Sequence, residues 1–186
     1  MPPTTTTSVA SGLGSPAEGL EGPVAIVGYM GCGKSTVGRM LARSLGWDFV
    51  DLDREISRSA GRTIPEIFER CGEEAFRALE HNALLTALDG KRERVVACGG
   101  GIVERPENRE RLARVPAVFL REDVGVLFGR TRDARRPLRG AGREDFERRY
   151  ERRLPLYEEV ADLKVAVRGR PPQTVAREIE WWISGE

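Results

Sequence analysis

Nine residues carry the clearest chemistry in this sequence: Gly28-Tyr29-Met30-Gly31-Cys32-Gly33-Lys34-Ser35-Thr36. They match G-x-x-x-x-G-K-[ST], a loop that holds the phosphates of a nucleoside triphosphate. Its glycines let the backbone curl until several N–H groups point at one phosphate, aided by the positive end of the helix that follows. Lys34 is then expected to bridge the β- and γ-phosphates, and the Ser35 hydroxyl to ligate Mg²⁺. Gly31, Cys32, Gly33, Lys34, Ser35 and Thr36 are therefore the candidate ATP-binding residues. The competing reading is a glycine-rich turn with no ligand. Lysine is scarce here, with only Lys34, Lys91 and Lys164 among 30 basic residues, so a lysine at this position is unlike chance.

Such a loop must sit between a strand and a helix. Val24-Ala25-Ile26-Val27 is a short apolar run ending at Gly28, which fits a strand buried on both faces. Val37, Met40, Leu41 and Leu45 follow at helical spacing, with Gly46 where a C-cap falls. Further strands are expected at Phe49-Val50, Arg94–Cys98, Ala117–Leu120 and Lys164–Val167. Helical patterns lie between them: one to about Ala60, a short one from Ile64, and a longer one over 73–88 with Phe76, Leu79, Ala83 and Leu84 on one face. Others fall near 106–113, 122–130, 143–161 and 172–183. Alternating apolar strands and helices imply crossover βαβ units, hence a parallel sheet covered on both sides.

Bulk properties narrow the class. The 186 residues suit one domain, and 40% hydrophobic with 32% charged residues is ordinary for a soluble globular protein. A net charge of +1 gives no basic surplus for a dedicated nucleic-acid partner. No apolar stretch approaches a membrane span, so no membrane partner is expected. Cys32, Cys71 and Cys98 form no C-x-x-C pair and suit a reducing, cytoplasmic setting. One histidine, His81, leaves little room for a histidine metal cluster or a Ser-His-Asp triad. Residues 1–22, rich in Pro, Thr, Ser and Gly, read as a disordered tail ahead of a single domain over 23–186.

The loop alone does not separate ATPases, GTPases and kinases. No Asn/Thr-Lys-x-Asp motif for reading guanine occurs. Arg130 to Arg139 holds five arginines, which by itself describes a solvated face as well as a phosphate-covering lid. A small P-loop protein with mobile arginines late in the chain fits a small-molecule kinase, which must neutralise charge on the transferring phosphoryl group and exclude water.

From Val24 almost to its end the chain resembles the shikimate kinase family. The resemblance rests on Asp51-Leu52-Asp53, Phe76-Arg77, Cys98-Gly99-Gly100-Gly101, Arg135-Arg136-Pro137-Leu138 and Arg153-Leu154-Pro155-Leu156-Tyr157, in that order. It implies a three-layer α/β P-loop fold, a five-stranded parallel sheet of order 2-3-1-4-5, a substrate segment near 53–80 and a lid near 130–142. It implies ATP-dependent phosphorylation of the shikimate 3-hydroxyl, with Mg²⁺, by a monomer. Asp53 would hold and polarise the acceptor hydroxyl, and Asp51 would reach Mg²⁺ through water. Arg77 and Arg153 would grip the acceptor carboxylate, a job that suits bidentate guanidiniums. Gly99, Gly100 and Gly101 would let the acceptor approach the backbone, and Phe68 and Phe76 would face its ring. Arg136 would reach the phosphates, with Arg130 and Arg170 on the adenine side.

Plainer readings stand beside these. Asp53 or Asp51 could cap the next helix, Arg77 could be a solvated side chain, the glycines a tight turn, and the phenylalanines core. Two other functions fit the loop: a gluconate kinase-like enzyme, against which the arginine pair argues, and a nucleotide-binding regulator without turnover.

Overall fold

A computed structural model describes residues 21–131 and 142–185. Five parallel strands form one sheet: β1 (Pro23–Val27), β2 (Asp48–Asp51), β3 (Arg94–Ala97), β4 (Ala117–Arg121) and β5 (Leu163–Ala166). Their order is β2-β3-β1-β4-β5, as the resemblance implied. The central strand β1 is buried along its length, which explains its unbroken apolar run. The edge strand β5 alternates instead, with Lys164 and Ala166 exposed.

Helices cross over between the strands, α1 (Lys34–Leu45), α2 (Leu52–Ala60), α3 (Ile64–Ala87), α4 (Pro106–Leu112), α5 (Val124–Arg130) and α6 (Arg143–Val160), and α7 (Pro172–Ser184) follows β5. Because all strands run parallel, their C-terminal ends share one edge, where ligands bind in open α/β sheets. The P-loop leaves β1 there, Asp51 ends β2, and Cys98 with the glycine run leaves β3. One core holds the sheet to its helices, and a small satellite cluster of Ile56, Ile67 and Phe76 joins α2 to α3.

One local feature matches the expected short helix from Ile64 and longer helix over 73–88, and a second departs from the expected pattern. The segment over 64–87 runs as two helical pieces broken at Gly72, whose φ of 80° and ψ of 176° are not helical. Its first piece is fastened by a capping box, in which the Thr63 side chain accepts from Glu66 N–H and the Glu66 carboxylate accepts from Thr63 N–H. The second piece buries Phe76, Glu80, Leu84 and Ala87, while Leu79 is 36% exposed. Phe76 and Leu84 of the expected face are buried and Ala83 packs against the core, but Glu80 takes the buried place expected for Leu79. Glu80 displaces Leu79 from the interior because Arg77 pairs with it there at 2.7 Å.

Candidate active site

The P-loop takes its shape from glycine backbone angles. Gly31 and Gly33 have φ of 85° and 97°, in a region L side chains avoid, and Gly33 opens α1 directly. Lys34 Nζ donates to the carbonyls of Gly28 (2.8 Å) and Tyr29 (3.0 Å), so its ammonium is held within the loop. Gly31, Gly33, Lys34, Ser35 and Thr36 line a cavity of about 270 Å³ together with Asp51, Asp53, Ala97, Cys98 and Gly100. Cys32 is buried under the loop, with its sulfur 3.8 Å from Lys34 Nζ.

A second cavity of about 470 Å³ adjoins the first. Phe68, Phe76, Ile64, Pro65 and Met30 supply apolar walls, and Asp53, Arg77, Glu80 and Arg153 supply charge. Asp53 and Gly100 line both cavities, so the two spaces meet at that carboxylate. The capping question is resolved by a difference of two positions. Asp51 Oδ1 accepts from Arg54 N–H at 3.4 Å and is the N-cap of α2, which places Asp53 within the first turn. Phe76 plays two parts: it belongs to the satellite core and it walls the larger cavity, its ring 4.7 Å from that of Phe68.

Arg77 and Arg153, 76 residues apart in sequence, converge on one oxygen. Glu104 Oε2 accepts from Arg77 Nη2 at 3.0 Å and from Arg153 Nη2 at 2.7 Å, while its Oε1 accepts from Arg152 Nη2 at 2.6 Å. Burial would raise the Glu104 carboxyl, but the hydrogen bond and charge of Arg153, then Arg152 and Arg77, hold it below its ordinary value. Glu80 goes the other way: burial raises it, and the adjacent Arg77 offsets only part of that. Arg153 is itself 1% exposed and sits over the Tyr29 ring, 5.6 Å from its centre. It reaches this depth because Phe146, Tyr150, Arg153 and Tyr157 share the buried face of α6. Arg153 Nη1 and the Tyr157 hydroxyl both donate to the Gly100 carbonyl.

The glycine run has a reason its sequence did not disclose. A Cβ on Gly99 would stand 2.5 Å from Glu80 Oε1, and one on Gly101 would stand 2.1 Å from Arg77 Nη1. The room at these two positions is filled by the chain's own charged side chains. Gly100 and Gly101 also line the larger cavity, whereas Gly99 backs Glu80.

On the far side of the P-loop, Arg130 Nη1 lies 3.4 Å from the Gly31 carbonyl, and its Nη2 pairs with buried Glu122 at 3.1 Å. Arg170 lies beyond β5, donates to the Ala166 carbonyl and pairs with Glu178; it lines neither cavity. Arg136 and most of the expected lid lie outside the described residues. The sequence reading missed Glu80 and Glu104. Glu80 had a detectable signal, lying four residues from both Phe76 and Leu84 on the buried stripe. Glu104, three residues past the end of the glycine run, had none.

Among the described residues no three His, Cys, Asp or Glu side chains gather as a metal cage. Ser35, Asp51 and Asp53 nevertheless bring oxygen donors to the phosphate cavity. That set suits Mg²⁺, which takes few protein ligands and is held largely by phosphates and water.

A family model described as shikimate kinase matches residues 30–184. A shikimate kinase from Halorhodospira halophila is 45% identical over 167 residues, 87% of this chain and 93% of the relative. One from Thermodesulfovibrio yellowstonii is 38% identical over 160 residues, 84% of this chain and 91% of the relative. A solved structure of shikimate kinase from Acinetobacter baumannii in complex with shikimate superposes with a TM-score of 0.83 at 38% identity, covering 89% of this chain and 94% of that one. A P-loop opening toward a walled cavity, with a carboxylate at their junction and an arginine pair opposite, accords with that kinship. This chain belongs to the shikimate kinase family.

Proposed function

We propose that this kinase transfers the γ-phosphoryl group of ATP to the 3-hydroxyl of shikimate, with Asp53 as the pivot of the reaction. The observation that carries the assignment is the position of Asp53 in the walls of both cavities. A carboxylate at that junction can orient the acceptor hydroxyl and take its proton as the new O–P bond forms and the bond to ADP breaks. Arg77 and Arg153 grip the acceptor carboxylate; Phe68 and Phe76 face its ring; Gly100 and Gly101 offer backbone contact. The P-loop N–H groups and Lys34 hold the phosphates, and Lys34 leaves its carbonyl partners to do so. Arg136 reaches the phosphates, and Arg130 and Arg170 lie on the adenine side. Ser35, and Asp51 through water, would hold Mg²⁺, which would supply charge neutralisation. Catalysis then comes mainly from positioning and from stabilising the transferring charge.

Residues 1–22 act as a tail to a single kinase domain, and the enzyme works as a monomer in the cytoplasm. No helix among the described residues is long and apolar enough to cross a membrane, and Cys32, Cys71 and Cys98 are free cysteines. ADP release measured with shikimate, gluconate and AMP in turn tests the function. Stimulation by shikimate alone is expected, and its absence would sink the assignment.

A further inference from the structure

The arginine pair already holds a carboxylate of the chain itself. Arg77 Nη2 has two hydrogens, and both are committed: one to Glu73 Oε1 at 3.0 Å and one to Glu104 Oε2 at 3.0 Å. Its Nη1 donates to Glu80 at 2.7 Å. An incoming carboxylate that is to be held by both Nη groups of Arg77 therefore finds no unused hydrogen on Nη2. Charge tells the same story, because three guanidiniums (Arg77, Arg152, Arg153) face three carboxylates (Glu73, Glu80, Glu104).

The three carboxylates differ in how readily they can give way. Glu80 is 2% exposed and locked behind Gly99. Glu73 is 56% exposed, so water screens its charge and can replace its hydrogen bond. Glu104 is 22% exposed and alone contacts both members of the pair. It therefore meets an arriving anion as a like charge sharing the same donors in a poorly screened setting.

From this geometry we infer that Glu104 sets the affinity for the acceptor: it is an internal carboxylate that occupies the arginine pair in the empty site and must cede Arg77 Nη2 when the acceptor's carboxylate binds. The inference rests on the reading that Arg77 and Arg153 grip that carboxylate. Glu104 is a positioning residue in the empty enzyme and a competitor in the binding step. Holding the guanidiniums in register, it also spares them a wider search, so its net effect is decided by charge against tethering. Glu104→Gln separates the two, since the amide oxygen can still accept from both arginines while the negative charge is gone.

The test measures shikimate binding by calorimetry without nucleotide, and KM and kcat for both substrates, in wild type, Glu104→Gln and Glu104→Ala. The expected result is a Kd and KM for shikimate lowered about tenfold in the Gln variant, with KM for ATP within about twofold of wild type. The Ala variant, carried alongside with its circular dichroism spectrum checked, is expected to shift in the same direction. A shikimate Kd in the Gln variant that is unchanged or raised overturns the inference, because tethering would then outweigh competition. A wild type whose ADP release ignores shikimate would instead sink the functional assignment, an outcome read in a separate arm.

Discussion

At the residue scale the site depends on small groups with little room to move. Asp53→Asn keeps the shape of the junction but removes the proposed proton acceptor. It is expected to lower kcat at least about a hundredfold, with nucleotide affinity by titration nearly intact. Lys34→Ala removes a charged donor from the phosphates, and is expected to weaken nucleotide binding and turnover together. Full activity in Asp53→Asn would refute its role. Gly101→Ala tests the packing argument: its Cβ would stand 2.1 Å from Arg77 Nη1. The atom it meets is the tip of a flexible side chain, so the fold survives while the guanidinium is displaced. The expected readout is a KM for shikimate raised about tenfold, equivalent to about 1.4 kcal/mol, with little change in melting temperature.

At the element scale, what matters is how helices deliver charged residues inward. The break at Gly72 ends one helical piece and starts another, so the second piece can bring Phe76 to the satellite cluster and cavity wall and Glu80 beside Gly99. Thr63 caps the first piece, which carries Ile64 and Phe68 to the cavity wall. Thr63→Ala is expected to cost about 1 kcal/mol, read as a lower urea midpoint, and to loosen the acceptor cavity more than the P-loop. A larger loss in KM for ATP than for shikimate would contradict that. On α6, Tyr157 and Arg153 lie one turn apart and meet at the Gly100 carbonyl. Much of this geometry was legible in the sequence as periodicity. The identity of the stripe on α3 was not, because a buried Glu reads as surface until its arginine partner is known.

At the scale of the whole molecule, the ion cluster ties stability to pH. Glu104 has a folded pKa held below its ordinary 4.5. Its contribution is therefore present in full above the ordinary value and is lost as pH falls through the folded value. Glu80, raised by burial, opposes this, since protonation relieves its desolvation as pH falls. Melting temperature followed from pH 7 downward is expected to fall through the acid range, and to fall less steeply in Glu104→Gln. Equal slopes would mean that Glu104 adds nothing. The single-domain reading has its own test at this scale. Deleting residues 1–20 removes none of the strands, helices or cavity walls described, and is expected to leave kcat/KM within about twofold.

Read without its fold, the chain already declared the phosphate loop and four apolar strands, with a shorter signal at Phe49-Val50 for β2. Those are local matters: glycines at fixed spacing shape one loop, and a buried strand shows itself in a few consecutive residues. The motifs after β2, β3 and within α6 suggested an acceptor site only through the family resemblance, while the parallel strands explain why their ends lie together. Tertiary structure alone decided which aspartate caps and which faces both cavities, a difference of two positions at the start of α2. It alone gave the glycine run its reason, through side chains from α3 that fill the space beside Gly99 and Gly101. It alone brought Glu104 onto Arg77 and Arg153, 27 and 49 residues away along the chain. Such contacts depend on burial and on charges meeting across elements, and no local pattern encodes either.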